Sequence, residues 1–185
     1  MVDLQSPFKI LSFHKSINFN FITLLFIQFN YMFQEINKTN HPPEYSIFIW
    51  DGDCKFCKWW KNRWEYRTKG KVIFRTYQEA GLEFPDIPIK EFQKASRLID
   101  TNGNVYSGPD SAYKIQYYLG NPKWHLWYKR QKWFKVLSNN AYNHIAKNRS
   151  FYYKLTILLF GSDPVKPKIY WFYYLLFIIL ISITI

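Results

Sequence analysis

Cys54 and Cys57 are the only thiols in the chain, and they stand three positions apart. A Cys-x-x-Cys pair at the start of a helix exists as two thiols or as one disulfide, and thiol–disulfide exchange interconverts the two. At a helix N-terminus, unpaired backbone N–H groups and the positive end of the dipole favour thiolate over thiol. Cys54 is therefore the expected attacking thiolate, and Cys57 the thiol that resolves the mixed disulfide. Lys55, Lys58 and Lys61 add positive potential nearby. Asp51, three residues upstream, has the chemistry to accept and return the exchanged proton. A carboxylate that close also opposes thiol ionisation, and the plainer task for Asp51 is to open the turn by bonding backbone amides. Asp53, directly before Cys54, is the expected helix N-cap.

Two cysteines so close together do not make a structural disulfide framework, which needs more cysteines and longer closed loops. Other readings of the pair stay open. A zinc site would need two further ligands, and the four histidines, His14, His41, His125 and His144, form no spaced pair. Two inert core thiols are the remaining alternative, since free cysteine is often simply buried. Exchange chemistry itself calls for no cofactor and no metal.

The elements that must hold these residues are readable around them. Ile47–Trp50 is a short apolar run suited to a strand buried on both faces. After the turn, the sequence has no Gly or Pro from Lys58 to Arg67 and predicts a helix over 55–68, with Cys57, Trp60 (or Lys61) and Trp64 on one face and Gly70 as C-cap. Lys71–Tyr77 reads as a second strand, parallel to the first because a helix connects them. Gln78–Pro88, with three breakers, is loop with one helical turn, and Ile89–Lys94 a short helix or turn. Ser96–Asp100 and Asn104–Ser107 flank Thr-Asn-Gly, a hairpin signal. Asp110 and Ser111 open a helix over 110–119, closed by Gly120 and Pro122. The order β-α-β, β-hairpin, α predicts an α/β fold with a thioredoxin-like sheet and flanking helices. Helices Lys123–Leu137 and Asn139–Arg149 follow.

The same residues resemble a known family. Asp51-x-x-Cys54-x-x-Cys57 just after an apolar strand is similar to the signature of the DCC family, described as predicted thiol–disulfide oxidoreductases. Three later stretches agree: Ser96–Tyr106 with the family's second strand pair, Gly108-x-x-Ser-Ala112 with the following helix start, and Tyr142–Arg149 with the closing helix. The resemblance covers roughly Tyr45 to Arg149. It implies a thiol–disulfide oxidoreductase with Cys54, Cys57 and Asp51 as site residues, and a disulfide or dithiol of a protein or small thiol as substrate. Where thioredoxins carry a cis-proline before the third strand, this chain has Lys94-Ala-Ser-Arg97, so their mode of peptide docking is not implied. Ser96 or Arg97 is left for that loop, and Tyr142 and Arg149 are expected to pack the closing helix.

Composition bounds the rest. A chain of 185 residues with 22% aromatic side chains has room for one domain plus extensions. The aromatic excess implies an aromatic core or a membrane-facing surface, or partly reflects biased codon usage. Net charge is +12, which favours anionic surfaces. Residues 1–44 read as an N-terminal extension with an interfacial or anchoring run, Phe19–Phe33, or as a mis-called start with Met32 as the true one. Residues 45–154 form the redox domain, 155–168 a linker, and 169–185 a C-terminal transmembrane anchor flanked by Lys166 and Lys168, or a buried helix if the segment returns to pack on the domain. The redox domain is then expected at a membrane, on its cytoplasmic side. Between Pro122 and Lys154 there are eight Lys or Arg and no Asp or Glu, interleaved with Trp and Tyr. These helices supply the alternative function, a non-enzymatic membrane-surface or nucleic-acid adaptor, although nucleic acid is the less expected partner.

Overall fold

A mixed four-stranded sheet carries the site in a computed structural model that describes residues 33–184. The strands β1 (Ile47–Trp50), β2 (Ile73–Thr76), β3 (Arg97–Ile99) and β4 (Val105–Ser107) lie in the order β2-β1-β3-β4. Helix α1 (Lys55–Thr68) crosses from β1 to β2, so those strands are parallel, with Phe48 beside Phe74 and Trp50 beside Thr76. β3 runs antiparallel to β1 and turns back into β4, with Leu98 opposite Tyr106. Gly103 supplies the left-handed residue of that hairpin at φ +77°. Asp100 fastens the turn: Oδ1 accepts the N–H groups of Asn102 and Asn104, and Oδ2 accepts from the Tyr106 hydroxyl. This mixed α/β arrangement is consistent with a thioredoxin-like fold.

Strand alternation sends side chains to two cores. Ile47, Ile49 and Ile99 pack on one face with Ala80, Phe84 and Phe92. These come from the helical turn α2 (Tyr77–Ala80), the 3-10 turn Gly81–Glu83 with its C-cap, and α3 (Ile89–Lys94). Phe48, Trp50, Phe74 and Leu98 pack on the other face with Ile115 of α4 (Pro109–Tyr118) and with Cys57 and Trp64 of α1. At β4, the Val105 N–H donates to Asn37 O and the Thr39 N–H to Gly103 O, both at 2.9 Å, while Phe33 and Thr39 are buried. The polar lead before β1 is thereby stitched to the sheet. The expected Phe19–Phe33 anchoring run and the Met32 start lie outside the described residues, apart from Phe33.

The later helices differ from expectation. Lys123–Leu137 is not one helix: α5 (Lys123–Arg130) and α6 (Lys132–Lys147) meet at Gln131, which is extended at φ −104°, ψ 106°. No Gly or Pro marks the break. Burial of both Tyr128 and Phe134 outweighs the local preference for continuous helix. Helix α7 (Arg149–Phe160) then takes up the first part of the stretch expected as linker, 155–160. The loop beyond it docks on α1, where Trp59 Nε1 donates to Gly161 O at 3.2 Å and Arg63 Nη1 to Pro164 O at 3.3 Å.

The expected C-terminal transmembrane anchor finds no support. Among the described residues no helix is long and apolar enough to cross a membrane. Helix α8 (Tyr170–Thr184) has 15 residues, about 22 Å at 1.5 Å per residue, against a hydrocarbon core of about 30 Å. Trp171 to Ile179 are all exposed.

Candidate active site

The turn between β1 and α1 is held from within and from β2. The Asp51 carbonyl accepts the Cys54 N–H at 3.1 Å, and Asp51 Oδ1 accepts the Asp53 N–H at 3.2 Å. Gln78 reaches across from α2, taking the Gly52 N–H on Oε1 and donating from Nε2 to Asp53 Oδ2. A Cβ at position 52 would lie 2.9 Å from Thr76 Cγ2, so only glycine lets the turn lie this close to the end of β2.

Asp53 is not the N-cap. Its side chain is turned to Gln78, and Cys54 caps α1 instead, at φ −89°, ψ 106°. Cys54 Sγ accepts the Cys57 N–H at 3.1 Å. The first-turn amide thus points at the sulfur expected to be thiolate, where the helix dipole favours negative charge. Cys54 and Cys57 are joined as a disulfide, with Cα atoms 5.2 Å apart, inside the usual range for such a bond. The exposure differs from expectation: Cys54 is 8% exposed, while Cys57 is half-buried and lines a cavity of about 390 Å³.

Asp51 is brought to the same place, with a partner that the motif does not contain. Arg149, at the start of α7, donates from Nη1 to Asp51 Oδ2 at 2.6 Å and from Nη2 to Gln93 O at 3.4 Å. Ser96 also faces the cavity: its N–H donates to the Tyr142 hydroxyl at 3.0 Å, and its Oγ lies 3.0 Å from Ser111 Oγ and 3.2 Å from Tyr142 Oη. Tyr142 and Arg149, expected only to pack a helix, therefore reach the site. The signal in the sequence was the match of both residues to the closing motif; what was missing was the fold that brings position 149 back to position 51.

Arg97 does not serve the loop opposite the disulfide. It is wholly buried and bonded to Ser107 Oγ, to Gln34 O at 3.1 Å and to Glu91 Oε2 at 3.0 Å. Burial pushes its guanidinium down to about 10, with the Glu91 charge acting in the opposite direction. The histidines described are also otherwise engaged or apart: His125 Nδ1 sits 2.9 Å from Asp110 Oδ1, which shares that carboxylate with Lys129. Among the described residues no group of three His, Cys, Asp or Glu is placed to hold a metal ion. In the basic helices, Lys129 and Lys135 are spent on Asp110 and Glu35.

A disulfide at the first turn of a helix, on a sheet consistent with a thioredoxin-like fold, has the arrangement that thiol–disulfide exchange uses. A family model described as DCC1-like thiol-disulfide oxidoreductase matches residues 48–155, more than half of the chain and everything from β1 into α7. No curated protein and no solved structure matches. The chain belongs to the DCC1-like thiol–disulfide oxidoreductases, with Cys54 and Cys57 at the start of α1 as its redox pair.

Proposed function

We propose that Cys54 is the exchanging thiolate, Cys57 the resolving thiol, and Asp51 the carboxylate that takes and returns a proton beside them. In the reduced protein the Cys54 thiolate attacks a disulfide R–S–S–R′, forming Cys54–S–S–R and releasing R′S⁻. Cys57 gives its proton to Asp51 and attacks the Cys54 sulfur, closing the Cys54–Cys57 disulfide and expelling RS⁻. Two electrons pass from the protein to the substrate, and the reverse sequence oxidises a dithiol. The observation that carries this division of labour is the Cys57 N–H bonded to Cys54 Sγ: the sulfur at position 54 is the one held for negative charge. The substrate is a disulfide or dithiol of a protein or small thiol.

The experiment is insulin-disulfide reduction with single variants. Cys54→Ser abolishes turnover, and Cys57→Ser accumulates a mixed disulfide with substrate. Normal turnover by Cys54→Ser would overturn the assignment.

A membrane-surface location belongs to the same proposal. Trp171 to Ile179 carry no charge and each keeps at least 42% of its surface exposed. A helix apolar all round is stable where lipid or protein covers it, and Lys166 and Lys168 precede it on the side of anionic headgroups. Helix α8 lies within the interfacial part of the bilayer, with the redox domain on the cytoplasmic face. Flotation of the full chain with anionic vesicles tests this: co-flotation that is lost after Leu175→Glu and Ile178→Glu is expected, and recovery of the unchanged chain in the vesicle-free fraction would contradict it.

A further inference from the structure

The cavity beside the disulfide is more specialised than thiol exchange requires. Cys57 stands in its wall, and the surrounding walls are mainly rings and aliphatic side chains, among them Trp50, Trp60 and Trp64 on one side and Tyr152 and Leu155 of α7 on the other. A hydrophilic small thiol such as a glutathione-like peptide has little to gain in such a space, whereas a flat apolar ring stacks on indole and phenol faces. The polar groups of the lining include the Asp51–Arg149 pair, Ser96 and Tyr142. The Arg149 guanidinium and the Tyr142 hydroxyl are donors, so a ring that brings carbonyl oxygens into this pocket gains where a plain hydrocarbon does not. The volume, about 390 Å³, is at the small end of ligand pockets and suits a substituted ring rather than a long peptide.

We propose that this cavity binds a quinone, and that the quinone is the two-electron partner of the Cys54–Cys57 pair. This rests on the thiol–disulfide role given above. In the step, the dithiol loses two electrons and two protons, a bond forms between Cys54 Sγ and Cys57 Sγ, and the two quinone carbonyls become the hydroxyls of the quinol. Cys57, which faces the cavity, is the sulfur nearest the ring, and Cys54 stays with the helix N-terminus and the thiol substrate. Helix α7, one wall of the cavity, also packs beside the apolar α8, which suits a ligand that partitions into lipid.

The test uses the full chain and decyl-ubiquinone, whose ring is fully substituted and does not alkylate thiols. Titrated into the oxidised protein, where no electron transfer occurs, it should quench tryptophan fluorescence saturably. Ala146→Trp, which fills the cavity from α6, should weaken that binding at least about tenfold. Leu155→Trp adds a smaller bulk from α7 and serves if the first variant melts at lower temperature. Mixed without oxygen with the reduced protein, the quinone should yield one quinol per disulfide formed. Absence of saturable quenching, or undiminished binding to a folded cavity-filled variant, would overturn the proposal. Insulin reduction measured alongside separates the two levels: reductase activity without quinone binding removes the quinone and keeps the thiol–disulfide role, and quinone binding without any thiol activity does the reverse. A reductase preference for an aromatic residue beside the substrate disulfide, with no quinone binding, would assign the cavity to a peptide side chain and also overturn it.

Discussion

Arg149 Nη1 lies 2.6 Å from Asp51 Oδ2, a contact that spans 98 positions of sequence and ties the start of α7 to the turn that carries the disulfide. The two side chains keep 24% and 22% of their surface, between the exposed pairs that contribute little and the buried ones whose rupture is severe. The pair does two things at once. It closes the helical layer over the cavity, and it gives the Asp51 charge a counter-ion beside sulfurs that must become anionic.

Removing the cation tests both. Arg149→Met should lower stability by about 1–2 kcal/mol, between those limits, seen as a melting temperature lower by about 3–8 °C. Exchange with a chromogenic aromatic disulfide should slow several-fold, because an unpaired carboxylate then opposes the thiolate. Asp51→Asn in the same background should recover part of the rate of the first attack by Cys54 while resolution by Cys57 stays slow for want of its base, and a double-mutant cycle on melting temperature should show coupling between the two positions. Strict additivity would mean that the contact does not act in solution.

Glu91 is the acid to remove for a large loss. It bonds the wholly buried Arg97 and Lys94, and takes the Gln34 N–H on Oε2 at 2.7 Å. Glu91→Ala leaves the Arg97 charge without its carboxylate, at a cost of about 3–5 kcal/mol. Glu91→Gln, which keeps an acceptor, should cost less. Urea unfolding of the two variants checks the order.

The same carboxylate sets part of the acid limit. Burial opposes ionisation of Glu91, but the hydrogen bonds from Lys94 and Gln34 and the Arg97 charge outweigh it and hold the carboxyl below its usual range. Asp100 shifts the same way: burial opposes, and the bonds from Asn104 and Tyr106 prevail. A folded-state pKa below the unfolded one gives stability that is present above the ordinary carboxylate range and lost as pH falls through the folded value. Melting temperature should therefore decline from about pH 5 downward, and Glu91→Gln should flatten that decline.

Position 52 offers a rescue. Gly52→Ala places a methyl 2.9 Å from Thr76 Cγ2, so the turn or the end of β2 must shift, at roughly 1 kcal/mol. Thr76→Ser removes that methyl and keeps the hydroxyl that caps α2 by accepting the Glu79 N–H. The double variant should recover the melting temperature and the exchange rate of the unchanged protein. A double variant as impaired as Gly52→Ala would place the strain elsewhere.

Much of this was legible in the sequence because the relevant forces are local. Apolar Ile47–Trp50, the glycine-bearing turn, the breaker-free stretch after Cys57 and the Asn-Gly hairpin each state their element within a few residues, and β1, α1 and the hairpin lie where those signals put them. The site was legible only as far as one turn reaches. Asp51 and Cys54 share the β1–α1 turn and Cys57 the first turn of α1, and Ser96 was within reach as the residue before β3, whereas Arg149 and Tyr142 come to the site through the packing of α6 and α7, which no spacing rule encodes. The break at Gln131 was invisible for the same reason, being set by where Tyr128 and Phe134 find cover. Arg97 misled because a basic residue next to a functional loop reads as exposed, while its burial depends on Glu91, Gln34 and Ser107 from three separate segments. The capping of α1 by Cys54 rather than Asp53 turns on Gln78, a side chain 25 positions from Asp53.

The central claim, that Cys54 and Cys57 act as one reversible two-electron pair, is tested most directly by equilibrating the full chain in graded glutathione buffers and counting free thiols by alkylation and mass. Both cysteines should change state together, in a single transition with the two-electron slope of about 30 mV per decade. Two cysteines that titrate independently, or that each end as a separate adduct with glutathione, would contradict it.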